Sequence, residues 1–237
     1  MTTETVLSIS NVEFGWRETT TLLSIDAFEI KRGESVFLKG PSGSGKSTLL
    51  GLIGGVLRPR SGEILVEGQS VANASSAMRD RMRANHLGII FQQFNLLPYL
   101  SVLANITLPC RFSHQRNQMS CERFRSPNDE ARHLVSELGL PEEVLGAPVS
   151  ELSVGQQQRV AVARALIGAP SLIIADEPTS ALDSENRDRF IEVLDAQRRA
   201  CKSSLLFVSH DRSLAEHFDR QLDLTSLNRV GPETAVS

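Results

Sequence analysis

The chain has 237 residues, a formal net charge of −3, and hydrophobic and charged fractions of 41% and 22%. These values are ordinary for a globular protein and exclude a disordered, collagen-like or coiled-coil chain. Its three cysteines are too few for a disulfide framework and lack the paired spacing of metal ligands. The mildly acidic balance argues against a dedicated nucleic-acid-binding protein, because neutralising phosphates normally takes a basic surface.

Strand and helix patterns alternate along the first third of the chain. Apolar patterning predicts strands at Val6–Phe14, Ala27–Ile30, Ser35–Lys39, Gly62–Glu67 and Leu87–Phe91. Helical spacing predicts helices at Ser47–Leu57 and Ala77–Asn85. The longest apolar run, Leu49–Leu57, contains three glycines and is too short to cross a bilayer. The first residues also lack the basic start and apolar stretch of a signal peptide, so we expect a soluble cytoplasmic protein.

The middle of the chain, residues 95–167, has helical periodicity that prolines interrupt. These prolines are Pro98, Pro109, Pro127, Pro141 and Pro148. Beyond them the pattern predicts a buried strand at Leu172–Ala175, an amphipathic helix at Ser184–Arg199 and a strand at Ser204–Val208. Alternating strands and helices imply an α/β architecture with a mainly parallel sheet, into which residues 95–167 are inserted as a helical subdomain.

A glycine-rich loop joins the third predicted strand to the helix that follows. It matches G-x-x-x-x-G-K-[ST] and reads Gly40-Pro41-Ser42-Gly43-Ser44-Gly45-Lys46-Ser47-Thr48. Glycines allow successive backbone N–H groups to turn toward phosphate oxygens, and the helix N-terminus adds the positive end of its dipole. Lys46 supplies a positive charge to the β- and γ-phosphates, and the Ser47 hydroxyl is a Mg²⁺ ligand. The loop predicts nucleotide binding.

Two adjacent carboxylates end the buried strand at Leu172–Ala175. Successive strand residues point to opposite faces, so Asp176 and Glu177 need not do the same work. Asp176 is suited to hold Mg²⁺ through its water shell, and Glu177 is suited to polarise a water beside the γ-phosphate. Together with the phosphate loop, this pair predicts nucleotide hydrolysis.

A second anion site is indicated at the segment Ser153-Val154-Gly155-Gln156. Ser153 is a good N-cap and Gly155 permits close backbone approach, so the segment begins a helix whose N-terminus suits an anion. One γ-phosphate does not need two such sites from one subunit. A partner subunit that closes over the nucleotide would explain both sites.

These motifs resemble those of ATP-binding-cassette ATPases, and the resemblance extends over residues 6–227. Two further segments, Ser180-Ala181-Leu182-Asp183 and Ser209-His210-Asp211, match the same family, and all the motifs follow the family's order along the chain. The resemblance implies a P-loop NTPase (RecA-like) core, an N-terminal antiparallel β subdomain and the inserted helical subdomain. The whole chain, 1–237, is then a single ATPase domain with no separate C-terminal regulatory domain. It also implies Mg²⁺-dependent ATP hydrolysis in a head-to-tail pair of subunits.

The resemblance also assigns roles to single residues. Gln92 would sense Mg²⁺ and the attacking water, although the adjacent Gln93 remains an alternative. His210 would contact the γ-phosphate, Asp183 would communicate across the dimer, and Trp16 would stack on adenine, or equally on guanine. In the paired subunits, the segment from Ser153 to Gln156 would cap the γ-phosphate in trans.

One residue departs from the family pattern, which has glycine where this chain has Val154. A β-branched residue disfavours positive φ, so we expect an ordinary backbone conformation at this position. A second local feature is the basic segment Arg111–Arg125. We interpret it as a solvated helical face rather than a patch for nucleic acid or lipid headgroups.

Within the family, the stretches 49–56, 62–68 and 91–98 look like the ATP-binding subunits of lipoprotein-releasing and macrolide-efflux transporters. Such a subunit would pair with itself or another ATPase subunit and drive a separate membrane permease, on the cytoplasmic face of the bacterial inner membrane. An amino-acid importer subunit is an alternative, since its signature is also followed by Gln-Gln-Gln-Arg. A cell-division ATPase that does not transport is another. Translation and DNA-repair members are disfavoured, because the chain has neither two cassettes nor a long coiled coil.

Overall fold

The computed structural model describes residues 4–180 and 184–230, the side chains of 184–186 excepted. The strands are β1 (Thr5–Phe14), β2 (Leu23–Lys31), β3 (Ser35–Lys39), β4 (Ser61–Val66), β5 (Gln69–Ser70), β6 (Leu87–Ile90), β7 (Leu172–Asp176), β8 (Ser204–Val208) and β9 (Arg220–Asp223). The helices are α1 (Lys46–Ile53), α2 (Ser76–His86), α3 (Val102–Phe112), α4 (His114–Phe124), α5 (Pro127–Glu137), α6 (Val154–Leu166), α7 (Ser184–Ala200) and α8 (Leu224–Leu227).

The chain forms two compact units. The phosphate-loop unit comprises residues 4–86 and 204–230, and the helical unit comprises residues 87–180 and 184–203. The predicted insertion at 95–167 lies within the helical unit, which also contains β6, β7 and α7. Its status as a separate subdomain, within a single ATPase domain without a regulatory extension, stays a prediction.

In the phosphate-loop unit, an antiparallel sheet has the strand order β2-β1-β4-β5. The pairing of β1 with β4 shifts register around Asn11, whose φ is 50°. The buried side chains therefore change phase, from Leu7 and Ile9 before the shift to Val12 and Phe14 after it. One extra residue in a strand moves every later side chain to the other face, which explains this change.

The same unit contains three parallel strands, with β3 between β8 and β9. Strands β3 and β8 read as short apolar runs because nearly all their residues are buried, and Phe37, Phe207 and Phe218 pack together there. The sequence did not predict β9, since this edge strand consists of Arg220-Gln221-Leu222-Asp223 and has no apolar run. Helix α1 ends earlier than predicted, at Ile53, because the left-handed Gly55 stops it.

The helical unit is built around α6, which packs against α3, α5, α7 and β6, the strand that pairs in parallel with β7. Serine hydroxyls cap the helix starts by accepting backbone N–H groups, at Ser101 for α3, Ser113 for α4, Ser126 for α5 and Ser153 for α6. Among the described residues, no helix is both long and apolar enough to cross a membrane.

The fold confirms the α/β class that the sequence predicts, with an antiparallel β subdomain, parallel strands and packed helices. The prediction of a solvated face along Arg111–Arg125 is wrong at Arg116, and Arg123 is half-buried and pairs with the buried Glu130. Arg116 is only 2% exposed. Its guanidinium donates to the carbonyl oxygens of Ala165 and Ile167 at the end of α6 and of Leu87 in β6. These hydrogen bonds allow a charged side chain to be buried.

Candidate nucleotide-binding site

The phosphate loop follows the buried strand β3, and its last three residues, Lys46–Thr48, form the start of α1. Its glycines 43 and 45 have φ values of 79° and 96°, a backbone region in which glycine is favoured. At Gly45 a side chain is also excluded by space, since an added Cβ would lie 2.8 Å from Leu23 Cδ2. Gly45 is the N-cap of α1 and provides no side-chain cap, so the first N–H groups of the helix have no side-chain acceptor there.

Lys46 and Ser44 complete the loop. The Lys46 ammonium donates to the carbonyl oxygens of Gly40 at 2.7 Å and Pro41 at 3.0 Å, so its charge lies over the loop itself. The Ser44 hydroxyl is buried and has no hydrogen-bond partner among the described residues. A buried hydroxyl without a partner is unfavourable, and a phosphate oxygen would supply the missing acceptor. These residues fit a nucleotide polyphosphate.

Two further predicted site residues lie in the phosphate-loop unit. Trp16 follows β1 and is 69% exposed, and its ring meets Phe14 edge-on at 5.2 Å. His210 is exposed just beyond β8. The neighbouring Ser209 N–H donates to the Leu38 carbonyl at 3.2 Å, which ties the residue before His210 to the strand that leads into the phosphate loop.

In the helical unit, the predicted signature segment begins α6 with a capping box. The Gln156 N–H donates to the Ser153 hydroxyl at 3.3 Å, and the Ser153 N–H donates to the Gln156 side-chain oxygen at 2.9 Å. Gln156 therefore has a structural role that its three-residue spacing from Ser153 could have predicted. The reciprocal bonds fix the first turn of α6.

Val154 and Gly155 form the first two residues of this helix. Val154 is not among the described residues with positive φ, which confirms the ordinary backbone expected there. Its side chain is 56% exposed. At Gly155 an added Cβ would meet no described atom within 4 Å. Packing within this part of the chain therefore does not require glycine at 155, and its backbone is open to approach from outside.

The carboxylate pair lies where the sequence predicts, with Asp176 as the last residue of β7 and Glu177 directly after it. Glu177 has φ 46°, which is unfavourable for a side chain with Cβ. The Gln158 amide of α6 donates to the Pro178 carbonyl at 2.8 Å. Sequence reasoning missed Gln158, which connects the signature helix to the residue after Glu177.

Gln92 and Gln93 are both exposed and occupy the centre of a turn, in which the Phe94 N–H donates to the Phe91 carbonyl at 2.9 Å. Either glutamine side chain is therefore accessible for the predicted role of sensing Mg²⁺ and the attacking water. The loop continues through Phe94 and Asn95, whose φ values are 59° and 49°. Arg164 of α6 donates to both carbonyl oxygens, at 2.5 and 2.6 Å, and so holds this unfavourable backbone.

The structure thus places the phosphate loop, Trp16 and His210 in one unit, and the glutamines, the signature and the carboxylate pair in the other. Within the helical unit, α6 connects to the loop after Gln93 through Arg164 and to the loop after Glu177 through Gln158. Asp183 lies outside the described residues.

Comparisons with known proteins identify the family of the chain. The family model described as ABC transporter matches residues 23–180. Rv0986 of Mycobacterium tuberculosis (strain H37Rv), an uncharacterized ABC transporter ATP-binding protein, is 37% identical over 227 residues, which cover 94% of this chain and 88% of Rv0986. YbbA of Escherichia coli (strain K12), described in the same words, is 40% identical over 197 residues, or 83% of each chain. The chain belongs to the ABC transporter family.

Solved structures extend the likeness to the fold. The ATP-binding cassette MJ0796, a dimer in a post-hydrolysis state bound to ADP and Pi, has a TM-score of 0.78 at 34% identity, over 92% of this chain and 93% of its own. The protein cbiO1 of Clostridium perfringens, part of the ABC transporter complex cbiONQ, has a TM-score of 0.78 at 25% identity, over 93% of this chain and 84% of its own. This ABC transporter chain is an ATP-binding subunit and an ATPase.

Proposed function

We propose that this ABC subunit hydrolyses ATP with Mg²⁺ at a site begun by its phosphate loop. The observation that supports this most strongly is the structure of the loop. Its glycines 43 and 45 are left-handed, α1 has no side-chain cap at its N-terminus, and the buried Ser44 hydroxyl has no hydrogen-bond partner among the described residues. Lys46 would move from the carbonyl oxygens of Gly40 and Pro41 to the β- and γ-phosphates. The exposed Trp16 would stack on the purine.

The residues proposed for the metal are Ser47, Asp176 and Gln92. Their hydroxyl, carboxylate and amide oxygens are the hard donors that Mg²⁺ prefers. When bound, the ion neutralises charge that develops on the transferred phosphoryl group. Gln92 is proposed over Gln93 on family likeness, since both side chains are exposed.

Glu177 is the proposed general base. It would accept a proton from the attacking water while His210 orients the γ-phosphate. The left-handed backbone at Glu177 and the Gln158 bond to Pro178 support this assignment, because unfavourable backbone held by neighbouring contacts is typical of functional sites.

We further propose that two subunits pair head to tail, with the segment from Ser153 to Gln156 of one capping the γ-phosphate held by the other. The open backbone at Gly155 and the dimeric state of the related MJ0796 support the pairing. Asp183 is assigned to communication across the pair on family likeness alone.

Two substitutions separate binding from chemistry. Lys46→Ala should weaken ATP binding by roughly 100-fold, the loss expected for a charge-assisted contact to phosphate. Glu177→Gln should retain ATP binding and lower kcat by roughly 10² to 10⁴-fold, since it removes only the base. Equilibrium ATP binding and phosphate release measure these effects. Equal loss of ATP binding in both variants would contradict the assigned roles.

The proposed partner is an integral membrane permease, which would place the subunit on the cytoplasmic face of a bacterial inner membrane. Likeness in the segments 49–56, 62–68 and 91–98 favours a permease of the lipoprotein-releasing or macrolide-efflux type. That permease has few spans and a large external domain, and it extracts or expels its substrate.

The partner is tested by affinity capture from detergent-solubilised membranes, with tagged Glu177→Gln held in Mg-ATP as bait and Lys46→Ala as the matched control. Recovery of a permease with few spans and a large external domain by the first variant alone would support the proposal. A multi-span importer permease would move the assignment to uptake. A membrane protein of the division machinery, or no membrane partner, would overturn the transport assignment.

A further inference from the structure

The turn that carries Trp16 is held by a side chain from the segment that leads into β4. The chain makes a tight turn between Phe14 and Leu22. The Leu22 N–H donates to the Phe14 carbonyl at 2.8 Å. The Thr20 N–H closes it by donating to the Arg17 carbonyl at 3.0 Å. Trp16 stands at the start of this turn, where its ring meets Phe14 edge-on and most of the residue is exposed.

Arg60 crosses this turn. Its guanidinium Nη2 donates to the Arg17 carbonyl oxygen and to the Thr20 carbonyl oxygen at 3.3 Å, the same two residues whose backbones close the turn. One cationic donor thus bonds the carbonyl oxygens of both residues that close the turn. Charge-assisted hydrogen bonds of this kind are stronger than neutral ones.

The backbone of Arg60 is itself fixed. Its N–H donates to the Glu13 carbonyl at 2.7 Å, directly before β4 begins, and Glu13 pairs with Ser61 across the sheet. The guanidinium therefore starts from a strand end of fixed register and not from a free loop. Gly15 completes the arrangement, because a Cβ there would lie 2.7 Å from Arg60 Nη2 and would overlap the Thr20 carbonyl oxygen.

We propose that Arg60 is a positioning residue that holds the Trp16 turn ready for a purine base. The inference rests on the proposed stacking of Trp16 on the nucleotide. An exposed aromatic ring on an unsupported loop must be ordered when its ligand binds, and that ordering lowers affinity. Holding the turn beforehand removes this cost without any contact between Arg60 and the base. The effect belongs to ground-state binding, so it appears in KM rather than in kcat.

The test uses the full-length chain with Arg60→Met, which keeps side-chain length and loses the donors. Arg58→Met is the matched control, since Arg58 is exposed, two residues away, and makes no hydrogen bond to the described residues. Trp16 is the only tryptophan, so its fluorescence reports the turn directly. The expected result for Arg60→Met is a KM for ATP raised roughly two- to tenfold with kcat at saturation unchanged. The Trp16 titration with ATP should shift by the same factor.

Inorganic tripolyphosphate separates positioning from general damage, because it offers phosphates to the loop at Gly40–Thr48 and no base to Trp16. Its affinity, measured by competition, should be the same for Arg60→Met, Arg58→Met and the unaltered chain. The positioning role would be overturned if Arg60→Met bound ATP and tripolyphosphate equally more weakly. It would also be overturned if Arg60→Met lost thermal stability without a selective loss of affinity for ATP.

The two proposals fail in different ways. If ATP leaves Trp16 fluorescence unchanged in the unaltered chain and Trp16→Ala binds ATP normally, the stacking assignment fails and the role of Arg60 fails with it. If Trp16 responds to ATP but Arg60→Met titrates like Arg58→Met, only the role of Arg60 is overturned.

Discussion

Two glycines show, at the scale of single residues, how a requirement of the fold differs from a requirement of the site. A Cβ at Gly88 would overlap the Ala165 carbonyl oxygen and lie 3.1 Å from Pro170 Cγ. A Cβ at Gly155 would meet no atom of the described residues within 4 Å, and the backbone there is helical. The first glycine is therefore required by packing inside the helical unit. The second is open to the surface on which we propose that another subunit's nucleotide lies.

We therefore predict opposite outcomes for two alanine substitutions. Gly88→Ala should lower the free energy of unfolding by about 1–3 kcal/mol, the usual cost of overpacking. Gly155→Ala should leave that free energy equal or up to about 1 kcal/mol higher, since alanine favours a helix. It should nevertheless lower ATPase activity at least about tenfold. Denaturant unfolding and phosphate release measure the pair. A Gly155→Ala variant that is destabilised, or fully active, would argue against the proposal that glycine is needed at 155 for contact with another subunit's nucleotide.

At the scale of elements, α6 is held at both ends by different means. Its N-terminus is fixed by the Ser153–Gln156 capping box. Its C-terminus is fixed by Arg116, which donates through Nε to the Ile167 carbonyl at 2.8 Å and through Nη2 to the Ala165 carbonyl at 2.8 Å. A cation at a helix C-terminus also meets the negative end of the helix dipole. Burial lowers the pKa of Arg116 to about 10, which leaves it charged at neutral pH.

The predicted consequence is that Arg116→Met destabilises the chain by about 3 kcal/mol, because several buried carbonyl oxygens lose their donor at once. The stability of Arg116→Lys should lie between those of Arg116→Met and the unaltered chain. An ammonium keeps the charge but lacks the planar guanidinium that donates to separate carbonyl oxygens. Denaturant unfolding gives the values. A methionine variant within about 0.5 kcal/mol of the unaltered chain would show that these bonds contribute little to stability.

How much of the site could be predicted from the sequence depends on how local each part is. The phosphate loop is a contiguous strand–loop–helix segment, and its glycines and Lys46 lie where the motif predicts. The connections through α6 are not local. Gln158 reaches Pro178 across 20 residues, and Arg164 reaches Asn95 across 69. Nothing in the local pattern distinguishes these side chains from solvated ones, and the same is true of Arg116.

At the scale of the whole molecule, the proposed site takes its phosphate loop from one subunit and its signature from another. If so, a variant defective in one part should be rescued by a variant defective in the other. We predict that Lys46→Ala and Gly155→Ala, each with little ATPase activity alone, recover activity when mixed. Random pairing makes half of the dimers mixed, and each mixed dimer holds one intact site of two. The expected maximum is therefore roughly a quarter of unaltered activity at an equal ratio, for a two-fold pair.

The dependence on mixing ratio makes this prediction specific. Activity should peak at equal amounts and fall on either side, because only mixed dimers contribute. The double variant, Lys46→Ala with Gly155→Ala in one chain, is the control. Mixed with either single variant, it cannot supply both an intact phosphate loop and an intact signature to the same site. Phosphate release across a series of ratios at fixed total protein measures the curve. Activity that stays at the level of the separate variants at every ratio would mean that each subunit completes its own site, and the head-to-tail pairing would have to be abandoned.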